Sequence, residues 1–325
     1  MRQTTLPGLR RPLPSLVLGT MTFGDTVDID VARAMVDLAL ESGVTSIDTA
    51  NGYARGRSEE MLGEILKGRW DEVTVATKAG IYPGDAGGRP LLSRKGLRAS
   101  LEASLRRLGT DRVDLFYLHQ PDRSVALEET AEALAGAVRD GLVGAIGVSN
   151  FSAWQISDVE NACVAAGAPR PVVAQQLYNL VARRIEAEYA EYAATHDLAT
   201  IVYNPLGGGL LTGRHSFDAD PGEGRFGSSA LSQMYRDRYW NRPMFEAVEA
   251  LSGIAAAAEL SLPELSLRWL LSRDVVTAVL LGGSKPEQLR SNVRAAREGP
   301  LPQDVLDACD EVGRVLAGPM PAYNR

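Results

Sequence analysis

Cysteine and histidine are scarce in this 325-residue chain: two of the first, Cys163 and Cys309, and three of the second, His119, His196 and His215. The cysteines form neither a C-x-x-C pair nor a disulfide framework, which suits a reducing compartment. Three histidines far apart in sequence give almost no zinc-site signal, so no metal is expected. Long apolar runs are missing too. No stretch approaches 18 apolar residues, which excludes an evident membrane-spanning helix. Met1 to Pro14 carries arginines without the apolar core of a signal peptide, and a cytoplasmic protein is expected. The lack of a G-x-S-x-G elbow and of a Walker A sequence removes the serine hydrolase and P-loop readings. A strong net charge is also lacking. With 34 basic and 41 acidic residues the balance is −7, so no global field recruits nucleic acid or an anionic membrane, and any anionic ligand must be held by a local cluster.

What remains is an ordinary globular composition, 45% apolar and 23% charged, with glycine and proline slightly above average, as in a fold rich in loops. Length alone would suggest roughly two domains, but α/β barrels run well past 250 residues as one. No linker or low-complexity tract divides the chain. Short β-branched runs alternate with longer amphipathic segments. Strands are expected at Leu16–Gly19, Thr45–Asp48, Val73–Lys78, Val113–Leu118, Ala145–Ser149, Val172–Gln176, Thr200–Tyr203 and Val276–Leu281. Helical spacing recurs in Leu97, Leu101, Leu105 and Leu108, and in Leu127, Ala131, Leu134 and Val138. Ser58 followed by Glu60, and Ser152 after Asn150, read as helix N-terminal caps.

Eight strands alternating with helices can form an open doubly wound sheet or a closed (β/α)8 TIM barrel. The open form would place a G-x-G-x-x-G after its first strand. The one match, Gly222-x-Gly224-x-x-Gly227, falls late, in a polar loop with no strand before it. The expectation is therefore a barrel spanning residues 1–325 as a single domain, with long loops and a C-terminal tail at its mouth.

In such a barrel, functional groups gather where the strands end. Those positions read Asp48 with Tyr53 beyond it, Lys78, His119, Ser149-Asn150, Gln175-Gln176, Tyr203-Asn204 and Gly282-Gly283-Ser284-Lys285. Singly each has a plain structural reading: a strand-end Asp caps a turn, a Lys snorkels to water, a His sits satisfied in the core. Together at one mouth, Asp48, Tyr53, Lys78 and His119 suit carbonyl reduction. A Lys ammonium favours phenolate and makes a phenol a better acid, and a buried Asp keeps that Lys charged and oriented. Tyr53 can then protonate an alkoxide as hydride arrives at carbon, with His119 positioning the carbonyl oxygen.

These motifs resemble the aldo-keto reductase superfamily over essentially the whole chain. The resemblance rests on Leu18-Gly19-Thr20-Met21-Thr22-Phe23-Gly24, Ile47-Asp48-Thr49-Ala50-x-x-Tyr53, Gly56-x-Ser58-Glu59, Ala76-Thr77-Lys78, Asp111-x-Val113-Asp114-Leu115-x-x-x-His119 and Gly144-x-Ile146-Gly147-Val148-Ser149-Asn150-Phe151. It implies an NADP(H)-binding barrel with Asp48, Tyr53, Lys78 and His119 as the catalytic tetrad. It further implies that Asp48, Ser149, Asn150 and Gln176 lie at the nicotinamide, its carboxamide held by the last three, with Tyr203 stacked on the ring. Asn204, Leu206, Gly208, Leu210 and Gly213 would belong to the loop along the pyrophosphate. Gly283, Ser284, Lys285, Gln288 and Asn292 would form the adenosine side, with Arg225 as another basic contact. Ser284 stands where many relatives carry arginine, which leaves the preference for NADP resting on Lys285 and Arg225.

A narrower resemblance, in Asn204–Gly213, Ser232–Trp240, Arg268-Trp269 and Pro321-x-Tyr323-x-Arg325, points to the aflatoxin-aldehyde and succinic-semialdehyde reductase branch. It implies that Tyr235, Arg238 and Arg325, beside Tyr53 and His119, bind the substrate, the two arginines gripping a carboxylate. The substrates implied are aldehydes, among them carboxylated ones such as succinic semialdehyde, and dicarbonyls. A sugar-nucleotide or secondary-metabolite ketoreductase, and a cofactor-sensing barrel acting through protein partners, are the alternatives. The branch contains dimers, which makes a homodimer the assembly to look for.

Overall fold

The computed structural model describes every residue except Glu223, Ala230 and 320–325. Arg325, Pro321 and Tyr323, named above, lie outside the described residues. The chain divides into two compact units, one of Met1–Gln176, Glu186–Tyr203 and Val275–Val293, the other of Leu177–Ile185, Asn204–Asp274 and Arg294–Arg325.

The first unit is built around a closed barrel of eight parallel strands in chain order: β1 Leu16–Gly19, β2 Ser46–Asp48, β3 Thr74–Ala79, β4 Val113–Leu118, β5 Val143–Ser149, β6 Val173–Leu177, β7 Ala199–Tyr203 and β8 Ala278–Leu281. Each of the eight expected strands is present, its ends shifted by two residues at most. β8 pairs with β1 at Leu280↔Val17 and with β7 at Val279↔Val202, which closes the cylinder. Burial on both faces explains the apolar runs: all six residues of β4 are buried. Helices lie between the strands, α1 at Ile29–Glu41, α2 at Arg57–Ile65, α3 at Arg94–Leu108, α4 at Leu127–Arg139, α5 at Ala153–Ala165 and α6 at Tyr189–Thr195; the expected spacing buries Leu97, Leu101, Leu105 and Leu108 on α3, and Ala131 and Leu134 on α4. α3 ends on Gly109, whose φ of 66° is the left-handed cap that glycine favours.

One cap reading needs correcting. α2 is capped by Gly56, not Ser58. The Ser58 hydroxyl is fully buried and donates to the Thr20 carbonyl at 2.9 Å, with the Thr49 hydroxyl 3.0 Å away. It pins the start of α2 to the ends of β1 and β2, so a buried polar cluster used the hydroxyl that a cap would have needed. Ser152 does open α5, its N–H donating to Gln155 at 3.0 Å in a capping box.

The N-terminal segment carries a two-residue antiparallel ladder, Gln3–Thr4 with Leu13–Pro14. Leu6 and Leu13 join the cluster formed by Val17, Ala76, Leu115, Tyr117, Ala145, Val173, Ala199, Ile201 and Ala278. Arg10 clasps the buried Asp114 of β4 (Nε to Oδ1, 2.6 Å), whose other oxygen accepts from the Val75 N–H at 2.9 Å. Asp114→Ala strands that N–H as well as the guanidinium. We expect it to lower the urea-unfolding free energy by about 2–3 kcal/mol and Arg10→Ala, whose side chain remains half in water, by about 1 kcal/mol. Equal losses would show that the bond to Val75 contributes nothing.

The second unit holds the turn Gly207–Thr212, α7 at Ser232–Tyr239, α8 at Arg242–Ala257, α9 at Leu262–Leu271 and α11 at Gln303–Ala317. Between the units in sequence, α10 runs over Pro286–Arg297. The Gly222-x-Gly224-x-x-Gly227 match lies in turns, with no strand leading into it among the described residues. No helix among the described residues is long and apolar enough to cross a membrane.

Candidate active site

Successive strands of the first unit end in the side chains expected at the mouth. Asp48 ends β2, Lys78 lies one residue from the end of β3, His119 follows β4 and Ser149 ends β5. Tyr53 stands at the start of the turn Tyr53–Gly56 between β2 and α2.

Lys78 is the centre of this group. Its side chain is 0% exposed, yet it is an ammonium with three protons to place. Its Nζ donates to Asp48 Oδ1, to the Thr49 carbonyl at 2.8 Å and to Tyr53 Oη at 3.3 Å. Burial works against the charge, but Asp48 and Tyr53 more than offset it and raise the Lys78 pKa above the usual lysine value. The second oxygen of Asp48 accepts from Gln175 Nε2 at 2.8 Å. Gln175 is thus a support that no strand-end pattern reveals, because its partner is 127 residues away in sequence.

His119 packs edge-on to Tyr53, ring centroids 6.0 Å apart. Its backbone N–H donates to the Ala79 carbonyl at 2.8 Å and its carbonyl accepts from Asn150 Nδ2 at 2.9 Å. Burial and the nearby Lys78 ammonium hold its pKa well below the usual imidazole range, so the ring is neutral at neutral pH. Nδ1 is buried without a hydrogen-bond partner. Leaving a lone pair there costs less than leaving an N–H, which favours the tautomer with its proton on Nε2.

Beside the tetrad lies a cradle of amides. Asn150 has a φ of 63°, in the left-handed region. That conformation lets Nδ2 reach both the His119 carbonyl and Ser149 Oγ (3.1 Å), while its Oδ1 accepts from the Tyr203 hydroxyl at 2.7 Å. Gln176 is buried and donates to the Phe151 carbonyl at 2.7 Å. After β8, Thr22 donates to the Gly283 carbonyl at 2.8 Å, and the Gln288 amide oxygen accepts from the Ser284 N–H at 3.1 Å. Lys285 is exposed and Asn292 buried on α10.

In the second unit, Asn204 (φ 61°) accepts from the Gly208 N–H at 2.7 Å, and its own amide donates to the Tyr239 hydroxyl at 2.9 Å. Gly208 has a φ of 72°, and a Cβ there would stand 2.6 Å from the Tyr235 ring, so only glycine fits. Leu206 precedes this turn, Gly213 closes it, and Leu210 is packed inside it. The Tyr235 hydroxyl accepts from Arg225, and Arg238 lies with its guanidinium carbon 6.0 Å from the same ring. Two cations therefore flank Tyr235: Arg225, expected at the cofactor, and Arg238, expected at the substrate.

A model of the aldo/keto reductase family matches residues 15–314. Among curated relatives, human aldo-keto reductase family 7 member A3 is 36% identical over 98% of this chain and 99% of its own. Aflatoxin B1 aldehyde reductase member 2 of Rattus norvegicus is 36% identical over 96% of this chain and 88% of its own. A probable voltage-gated potassium channel subunit beta of Oryza sativa subsp. japonica is 32% identical over 90% of each.

Proposed function

The chain belongs to the aldo/keto reductase family and is an oxidoreductase, and we propose that it reduces aldehydes to alcohols with NADPH, Tyr53 acting as the acid. The observation that carries this reading is the Lys78 ammonium, buried and satisfied by three acceptors of which one is Tyr53 Oη.

The donor set suits a nicotinamide. A primary carboxamide needs both donors and acceptors, and Ser149, Asn150 and Gln176 offer a hydroxyl and two amides at adjacent strand ends. Tyr203 adds an aromatic ring bonded to the same Asn150. On the adenosine side Lys285 would meet a 2′-phosphate, with Gly283, Ser284, Gln288 and Asn292 around it. In the turn after β7, Asn204, Leu206, Gly208, Leu210 and Gly213 would line the pyrophosphate. When bound, the cofactor supplies hydride to the carbonyl carbon.

The chain's own residues do the rest. Neutral His119 donates from Nε2 to the carbonyl oxygen and sets its approach. Tyr53 gives its proton to the same oxygen, and the phenolate left behind is stabilised by Lys78, which keeps its charge because Asp48 and Gln175 hold it in place. Asp48 and Lys78 move no proton to the substrate; they fix the charge state of the acid.

For the substrate, the aflatoxin aldehyde reductase names of the relatives support an aldehyde. The Arg238 guanidinium beside Tyr235 supports an anionic one, such as succinic semialdehyde, with Arg325 as the second arginine of the grip and Arg225 kept as a basic contact of the cofactor. Residues 1–325 are proposed to work as one domain in the cytoplasm, with a homodimer as its assembly. A panel of aldehydes, ketones and sugar nucleotides with NADPH and with NADH tests it. We expect aldehyde-dependent oxidation of NADPH, and an Arg238→Ala variant whose KM for succinic semialdehyde rises at least tenfold, as loss of one charge-assisted bond of about 1.5–3 kcal/mol requires. A neutral aromatic aldehyde should be spared. Equal effects on both substrates would remove the carboxylate grip, and turnover of no carbonyl compound would remove the reductase reading in favour of a barrel acting through partners.

A further inference from the structure

The turn that carries Tyr53 is strained. Ala54 (φ 47°, ψ 37°) and Arg55 (φ 56°, ψ 41°) are consecutive non-glycine residues in the left-handed region, and Gly56 follows at φ 93°. L-residues resist that conformation at a cost of roughly 1–2 kcal/mol each, and two in a row persist only where the surroundings over-determine them. The tetrad contacts meet Tyr53 on its side chain, through the 3.3 Å hydrogen bond from Lys78 Nζ and the edge-on ring of His119.

A second ionic network lies directly behind this turn. Glu59, on the first turn of α2, is 0% exposed and accepts from Thr77 Oγ1 at 2.5 Å and from Arg107 Nε at 2.7 Å. Thr77 immediately precedes Lys78 on β3. Arg107, near the end of α3, uses its two remaining nitrogens as a fork on Asp85, 2.9 Å and 2.7 Å to the two oxygens. Asp85 lies in the short turn Pro83–Asp85 after β3, and its Oδ2 also accepts from Asn51 Nδ2 at 3.1 Å. Asn51 is fully buried, two residues before Tyr53, and its N–H donates to the Lys78 carbonyl at 3.1 Å. The guanidinium also fills the space beside Gly56, where a Cβ would meet Arg107 Nε at 2.7 Å.

The strained turn is thus held at both ends by one guanidinium: through Asp85 and Asn51 before it, and through Glu59 and Gly56 after it. A planar, permanently charged fork is the group suited to this, since an ammonium cannot serve three directions in one plane. We infer that Arg107 is a positioning residue of the active site: with Asp85, Asn51 and Glu59 it clamps the left-handed turn and sets the reach of the Tyr53 hydroxyl toward Lys78. None of these four touches the reacting atoms in this arrangement. The inference rests on the reductase reading only for its kinetic consequence.

The test uses Arg107→Lys, which keeps a charge at α3 without the fork, and Asp85→Asn, which keeps shape but loses the charge that holds the Arg107 fork and the bond from Asn51. Amide hydrogen exchange of the intact protein without cofactor is followed on peptides covering residues 49–62 and on the rest of the barrel. Turnover of an aldehyde is measured beside it. Both variants should exchange at least tenfold faster across residues 51–57, with the β4 and β5 peptides unchanged. Both should lose about 100-fold in kcat, the scale of a 1 Å misplacement, while KM for NADPH stays within twofold. Unchanged exchange at 51–57 overturns the clamp. Faster local exchange with kcat within threefold of wild type overturns its role in positioning Tyr53. A rise in exchange throughout the barrel, with NADPH affinity lost in proportion to kcat, shows a merely structural residue and also overturns it. If the wild-type protein reduces no carbonyl compound, the reductase reading fails by itself, and the exchange data still decide whether the clamp exists.

Discussion

Tyr53→Phe is expected to lower kcat for aldehyde reduction by about 10²–10⁴-fold, the range that a positioned general acid supplies, and to leave NADPH binding near its wild-type value. The ring remains to pack against His119, so what is removed is the hydroxyl alone. Lys78 then loses one of three acceptors but keeps Asp48 Oδ1 and the Thr49 carbonyl. Its burial is therefore still compensated, and the variant should unfold within about 1 kcal/mol of wild type, the net worth of one ordinary hydrogen bond. Stopped-flow single turnovers combined with urea denaturation separate the two quantities. A single-turnover rate within tenfold of wild type would refute Tyr53 as the acid, because water can replace a hydroxyl only poorly beside a buried ammonium.

The second large effect concerns the pair beneath it. Lys78→Met leaves the Asp48 carboxylate 1% exposed, with only the Gln175 amide to hold it. Removing one partner of a buried ion pair costs about 3–5 kcal/mol, since the remaining charge is stranded away from water. We expect that loss in urea unfolding, together with a fall in kcat of at least 100-fold, because the phenolate formed by proton transfer has lost its counter-charge. The double variant Asp48→Asn with Lys78→Met replaces both charges by neutral groups of similar size. It should recover most of the stability and none of the activity. Recovered activity would mean that Lys78 acts only through folding, and unrecovered stability would mean that the two side chains do not form an isolated pair.

The parts of this site that sequence made visible share one property: their meaning depends on where a strand ends. Apolar runs such as Val113–Leu118 mark strands buried on both faces, and a polar residue just beyond such a run has to face the rim. Asp48, Lys78, His119 and Ser149 follow from that rule before any contact is known. The supports behind them do not. Gln175 and Gln176 both looked like rim residues, and only the structure separates the one that holds Asp48 from the one bonded to Phe151. Arg107 sits among leucines on α3 as an ordinary helix arginine, and nothing in its neighbourhood points to Glu59 or Asp85, 48 and 22 residues distant. The Ser58 misreading has the same origin. Cap chemistry is local, whereas its hydroxyl was taken up by Thr20, 38 residues away. Strand ends are written in the order of the chain; cross-links between helices and turns are written in its folding.

One bond described above reaches beyond the reaction. Asn150 opens the tripeptide Asn150-Phe151-Ser152, the pattern that glycosylating enzymes of the secretory route accept in other proteins. Its Nδ2 already gives its protons to the His119 carbonyl and to Ser149 Oγ. A sugar linked to that nitrogen leaves it one proton for two acceptors and plants a bulky group at the end of β5, where the amide cradle opens. A sugar on Asn150 and a working cradle are thus mutually exclusive for this chain.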